Sequence, residues 1–196
     1  TVQFIFQPAE EANGIGSGAK AMIDDGLFER FSADNVFALH NAPELALGAV
    51  ATCAGVMTAS VDIFDVTIHA KGTHGAMPHT GIDPIMITAQ LVTAWQTIIS
   101  RNVNAQDSAV ISATSINAGN SWNVIPGTAH IKGSVRALSP EIRQLVQDRF
   151  HTVTYNIVEA FGANVDIDYR LMSPAMINDA EQTALACDVA ASIFGE

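Results

Sequence analysis

Cysteine is scarce in this sequence: Cys53 and Cys187 are the only two among 196 residues. Two cannot build the multi-bridge framework that staples small secreted domains, and they point to a reducing compartment, the cytoplasm. Both read as small core residues. Basic side chains are also few, with nine Lys+Arg against 20 Asp+Glu and a formal net charge of −11. Nucleic acid and anionic membrane surfaces are held by clustered basic charge, so this balance excludes both as partners. No aromatic stretch of the kind that stacks RNA bases is present. Long apolar runs are missing as well, because Asp, Gly, Gln or Ser interrupts each one before the ~20 residues of a membrane span. No basic segment leads into an apolar stretch and a small-residue cleavage site.

Apolar content is ample. Hydrophobic residues make up 48% and charged residues 15% of the chain, too apolar a mixture for disorder. A chain of this length buries roughly two-thirds of its unfolded surface, enough for a real core. Val2, Phe4 and Phe6 alternate with Gln3 and Ile5, so a strand is already under way at position 1. The expectation is a piece cut from a longer chain.

Two textures divide the sequence. Residues 1–58 read as a strand (1–7), a polar loop (8–15), a helix (16–25) stopped by Gly26 as C′ residue, and strands at 36–40 and 48–53. That is a partial α/β layer. Residues 59–175 read as β-α-β-β-α-β. Strands are expected at 60–70, 109–117, 128–138 and 165–169, with Phe64, Val66 and Ile68 on one face of the first. Asp83-Pro84 and Ser139-Pro140 open the two helices, an N-cap followed by proline at the first helical position. This order is the ferredoxin-like arrangement, and one-sided helical stripes place both helices on one sheet face. Residues 176–196 read as a returning helix that rejoins the first layer, opened by Asn178 and Glu181 as a capping box. The fold class is thus α/β, with the ferredoxin-like domain inserted.

Several residues could carry chemistry. Glu10 and Glu11 follow Gln7-Pro8 at the carboxyl end of a strand, where α/β sheets place ligands. One can bind a metal while the other moves protons, although an acidic turn capping the next helix has the same composition. His40 ends the strand before Asn41-Ala42-Pro43 and is a second possible ligand, or simply bonds a neighbouring carbonyl. Gly72-Thr73-His74-Gly75-Ala76-Met77-Pro78-His79 is a glycine-rich loop with two histidines. Its glycines permit close backbone approach, and a histidine can stabilise an oxyanion. The loop could equally be an ordinary turn. Asn123 lies in a second polar loop, Asn120–Gly127. Arg136, on the strand after it, is shaped for a carboxylate or for a structural ion pair.

These segments together resemble the zinc-dependent aminoacylase and carboxypeptidase G family, in particular its amidohydrolase branch of hippurate hydrolases, auxin-conjugate hydrolases and N-acetyl-diaminopimelate deacetylases. Gln7–Glu11, Gly72–His79 with Gly81-Ile82-Asp83-Pro84, Asn123–Pro126 and Gly133–Arg136 stand in the family's order along the whole chain. The resemblance implies a metal-dependent amidohydrolase that cleaves the amide bond of N-acyl amino acids with two divalent ions, zinc or manganese. It implies Glu10 as general base, Glu11 and His40 as metal ligands, and His74 as oxyanion donor reaching across a homodimer. Asn123 and Arg136 would hold the carboxylate side of the substrate, and His79 receives no role. On this reading residues 1–58 belong to the catalytic domain, 59–175 form a lid and dimerisation domain, and 176–196 return to the catalytic domain. The branch's Cys-Gly-His-Asp segment and its final histidine ligand have no counterpart in the 196 residues. The isolated chain is therefore expected to be inactive, and a non-catalytic dimerisation or binding module is the alternative.

Overall fold

The computed structural model describes residues 1–9 and 18–195. Two units divide the chain, one made of Thr1–Ala54 with Asp179–Glu196, the other of Gly55–Asn178. In the first unit, α1 (Gly18–Asp24) is followed by α2 (Leu27–Arg30). Gly26 joins them at φ +85°, a left-handed conformation that costs glycine little. Its N–H donates to the carbonyl of Ile23 at 2.9 Å, so it ends α1 as expected. The strands expected at 1–7, 36–40 and 48–53 are not formed. Alternation marks a face suited to burial, but a strand exists only where a second strand takes up its backbone groups. Every ladder among the described residues lies in the other unit. Val2, Phe4, Phe6, Leu39 and Leu47 accordingly remain exposed.

The second unit contains, in chain order, β1 (Gly55–Thr58), β2 (Val61–His69), β3 (Thr73–His74), a 3-10 turn (Pro78–Thr80), α3 (Pro84–Asn102), β4 (Ala109–Ala118), β5 (Val124–Ile125), β6 (Thr128–Ala137), α4 (Pro140–Ala160), β7 (Asn164–Ser173) and β8 (Met176–Asn178). The four long strands form an antiparallel sheet in the order β4-β6-β2-β7, the ferredoxin-like arrangement. Strands β1 and β8 pair with each other where the chain enters and leaves the unit. The caps act as their sequences indicate. Asp83 accepts from the N–H groups of Ile85 and Met86, and Ser139 accepts from that of Ile142.

Both long helices cover the same face of the sheet. Phe64 of β2 lies 5.2 Å from the ring of Trp95 on α3 and 4.7 Å from that of Phe150 on α4. Trp95 also donates from Nε1 to the hydroxyl of Thr154 on α4, at 2.9 Å and fully buried. Val66, Ile68, Ile111, Ile131, Val135, Ile87 and Leu91 are among the other members of this core. A Cβ on Gly133 would fall 2.2 Å from the ring of Phe64, so the glycine of the Gly133–Arg136 motif is where the aromatic cluster meets the central strand. Between Ala113 and Ser115 the β4–β6 register shifts by one residue, with Thr114 as the extra one. Such a bulge moves the following side chains to the other face.

Asp62, also on β2, is completely buried. Its oxygens accept from Nε of Arg143 at 3.1 Å, from Arg143 Nη2 at closer range, and from the Tyr169 hydroxyl at 3.2 Å. The opposite sheet face is polar and open, with Lys132 paired to Asp65 at 3.0 Å and His69 to Asp166 at 2.8 Å. Helix α5 (Ala180–Phe194) closes the described chain and groups with residues 1–54. Its N-cap is Asp179, which accepts from the N–H groups of Glu181 and Gln182, not Asn178 as the sequence pattern indicated. Either side chain can cap, and the helix starts one residue later because Asn178 still belongs to β8. Cys53 and Cys187 are exposed, which corrects their reading as core residues. Side-chain type made them eligible for a core, but α5 buries none of its residues among the described ones.

Candidate functional site

The loops around His74 and Asn123 form one structure. Past the last β2–β6 pair, His69 with Thr128, the two chains stay together. Ala70 N–H donates to the Gly127 carbonyl at 2.8 Å, and β3 then pairs with β5, Thr73 opposite Ile125 and His74 opposite Val124. The ladder is thereby prolonged beyond the sheet. The glycines allow it: a Cβ on Gly72 would come within 2.9 Å of the Ile125 carbonyl, and one on Gly81 within 2.4 Å of that of Lys71. Gly75 N–H donates to the carbonyl of Asn123 at 2.7 Å, which ties the histidine loop directly to the asparagine loop.

Both side chains are exposed and oriented by neighbours. The N–H of Ala76 donates to Nδ1 of His74 at 3.1 Å. In a neutral imidazole the proton then resides on Nε2, which becomes an outward donor. The hydroxyl of Ser121 donates to Oδ1 of Asn123 at 3.1 Å, leaving the Asn123 amide hydrogens to meet an acceptor. Each donor suits an oxyanion or a carboxylate, and the loops that carry them meet through their backbones at one end of the unit. The orienting roles of Ser121 and of the Ala76 amide were not read from the sequence. A backbone donor has no signature there, and a serine two residues before an asparagine is too common to signify. His79 sits in the 3-10 turn and is exposed.

Arg136 is at the other end. It lies eight residues along β6 from Thr128, so at ~3.3 Å per residue it is separated from the β3–β5 end by roughly 26 Å or more. Its guanidinium donates to the carbonyl of Val135 at 3.1 Å and makes no salt bridge among the described residues. Within one chain, then, His74 and Asn123 come together and Arg136 does not join them. A carboxylate a few ångströms across cannot touch both ends.

In the first unit His40 is exposed, with Nδ1 2.7 Å from the carbonyl of Asn41. That contact fixes Nδ1 as the protonated nitrogen and turns Nε2 outward with a lone pair, the arrangement usual for metal-binding histidines. The residue thus suits a divalent ion. Glu10 and Glu11 lie outside the described residues. Among the described residues no group of three or more His, Cys, Asp or Glu side chains is placed to hold a metal, and none of the helices there is long and apolar enough to cross a membrane.

The sequence profile of Peptidase family M20/M25/M40 matches residues 1–196. An N-acetyl-L-cysteine deacetylase of Bacillus subtilis is 43% identical over 189 residues, covering 96% of this chain and 44% of that protein. A hippurate hydrolase of Campylobacter jejuni is 42% identical over 191 residues, covering 97% and 49%. The chain thus spans about half the length of the curated relatives it matches. Among solved structures, a dinuclear metal binding peptidase of the M20 family from Bacillus subtilis superposes with a TM-score of 0.72 at 32% identity, covering 96% of this chain and 46% of that one.

Proposed function

The chain belongs to Peptidase family M20/M25/M40, and from that premise we propose that the enzyme carrying it is a metal-dependent amidohydrolase of N-acyl amino acids, cytoplasmic and homodimeric. Relatives named for hydrolysing hippurate and for deacetylating N-acetylcysteine support the substrate class. The observation that carries the reading is the junction of the His74 and Asn123 loops at the β3–β5 end, each presenting an oriented side-chain donor. Residues 1–58 and 176–196 serve the catalytic domain in this reading, and 59–175 the lid and dimerisation domain.

Glu11 and His40 belong to the ligand set of two divalent ions, zinc or manganese. When bound, these ions lower the pKa of water so that a nucleophile forms at neutral pH. Glu10 takes a proton from the attacking water as its oxygen bonds to the acyl carbon. His74 donates from Nε2 to the carbonyl oxygen as negative charge develops there, a contribution worth ~100–1,000-fold in rate for one donor. The C–N bond then breaks, and Glu10 passes its proton to the leaving amine. Asn123 and Arg136 secure the substrate carboxylate.

The distance between Asn123 and Arg136 supports a site shared by two chains, with Arg136 of one protomer facing His74 and Asn123 of its partner. Subunit mixing in the full-length enzyme tests this. His74→Ala and Arg136→Ala homodimers are both expected to be nearly inactive. Unfolded together and reassembled at equal amounts, they should recover up to about a quarter of wild-type activity, because each mixed dimer rebuilds one intact site. If both residues served the same site from the same chain, mixing would restore nothing. Sedimentation showing a monomer at assay concentration would also reject the shared site.

A further inference from the structure

Beside Asn123 lies a shallow groove that the reaction above does not use. Ile85 of α3 forms one wall, and Asn120, Ser121, Trp122, Val124 and Pro126 form the other. No charged side chain lines it. Trp122 is entirely exposed at 106%, and Ile85 and Val124 are about half exposed at 46% and 51%. Indole is the largest apolar side chain, and burying one is strongly favourable. The only other tryptophan, Trp95, is completely buried in the core. An uncovered Trp122, next in sequence to Asn123, therefore suits a ligand that is apolar on one side and anionic on the other.

We propose that this groove receives the side chain of the N-acylated amino acid and selects large apolar ones, Trp122 being the main contact. The proposal rests on the amidohydrolase reading. Asn123 there holds the α-carboxylate, and the side chain branches from the same α-carbon. A surface adjoining Asn123 is thus within reach of the side chain, whereas the acyl group lies across the scissile amide. A charged side chain would lose its hydration in this groove and find no counter-charge. An aromatic one would stack on the indole.

The test uses the full-length, metal-loaded enzyme with N-acetyl-L-phenylalanine, N-acetylglycine and N-benzoylglycine. Wild type should favour N-acetyl-L-phenylalanine over N-acetylglycine in kcat/KM. In Trp122→Ala that ratio should fall about tenfold or more, as expected for loss of a large apolar contact, and Trp122→Phe should restore most of it. An unchanged ratio overturns the proposal. So does a fall confined to N-benzoylglycine, which would assign the groove to the acyl group. Dissociation of the Trp122→Ala dimer in sedimentation would also overturn it, making the groove a contact between copies. A second readout separates this proposal from the reaction itself. In Glu10→Gln, N-acetyl-L-phenylalanine should shift the emission of exposed Trp122 to shorter wavelength, and the shift should vanish in the double variant with Trp122→Phe. Were wild type to hydrolyse none of the three compounds, the proposed reaction would fail, while the shift would still support the groove and its absence would overturn it.

Discussion

At Asp62 a carboxylate is buried in the core unit with both oxygens occupied by Arg143 and Tyr169. Burial first, then the Asp62 charge and the hydrogen bond to it, holds the Tyr169 phenol above its ordinary value of 10.0. Because the folded value is the higher one, the unfolded chain ionises first as pH rises. The contribution of Tyr169 is therefore complete below about pH 10 and is lost above it. Tyr169→Phe should cost roughly 1.5–3 kcal/mol at neutral pH, the range for a hydrogen bond to a charged group. The gap between wild type and variant should narrow above pH 10. Urea midpoints at about pH 7 and pH 11 measure both, and a gap that stays constant would reject the assignment. The paired acids allow a second test at this scale. In the full-length enzyme Glu10→Gln should keep its metal and lose ~100–10,000-fold in turnover, the span of a general base. Glu11→Gln should lose metal instead. Metal stoichiometry beside N-acyl amino acid hydrolysis distinguishes them, and the opposite pattern would exchange the two roles.

Among the elements, α3 and α4 were legible because their starts are written locally: an Asp or Ser that caps, then a proline. The four long strands were legible from alternation. Asp62 was not, although it has the same parity as Phe64 and Val66, since its partner Arg143 stands 81 residues away. The start of α5 was missed by one residue because Asn178 and Asp179 are both good caps and only the pairing of β8 decides between them. Strands in residues 1–54 were misread because alternation describes one side of a ladder and cannot supply the other. Gly133 shows a motif residue whose reason is packing. Gly133→Ala would press a methyl into the Phe64 ring and the Ser112 carbonyl, both 2.2 Å from the added carbon, and should destabilise by roughly 1–3 kcal/mol or more. Thermal unfolding of the variant checks this; an unchanged midpoint would mean that the ring cluster can move aside.

For the whole molecule, the order of motifs identified a family that the profile match bears out. The residues of the His74–Asn123 pair were each recognisable, but their junction was not, because it is made by backbone contacts between glycine-rich loops. Arg136, only thirteen positions after Asn123, stands at the far end of β6, a place already implied by the strand expected at 128–138. A strand converts short sequence separation into long distance, while loops bring remote residues together. The subunit-mixing experiment is in this sense a measurement of strand length.

The bulge at Thr114 also bears on how the chain can tolerate changes in length. Ala109, Ile111 and Ala113 precede it on the helix-covered side, and Ile116 and Ala118 resume that side after it. Loss of Thr114 would close the ladder and leave every other side chain of β4 facing as before. Loss of Ser115 would do the same, with Thr114 taking its place opposite Lys132, whereas deleting Val110 would exchange inside for outside over the adjoining part of the strand. Among deletions in β4, a one-codon loss at the bulge, Thr114 or Ser115, is thus what the fold can absorb, and natural length variation in this strand should collect there.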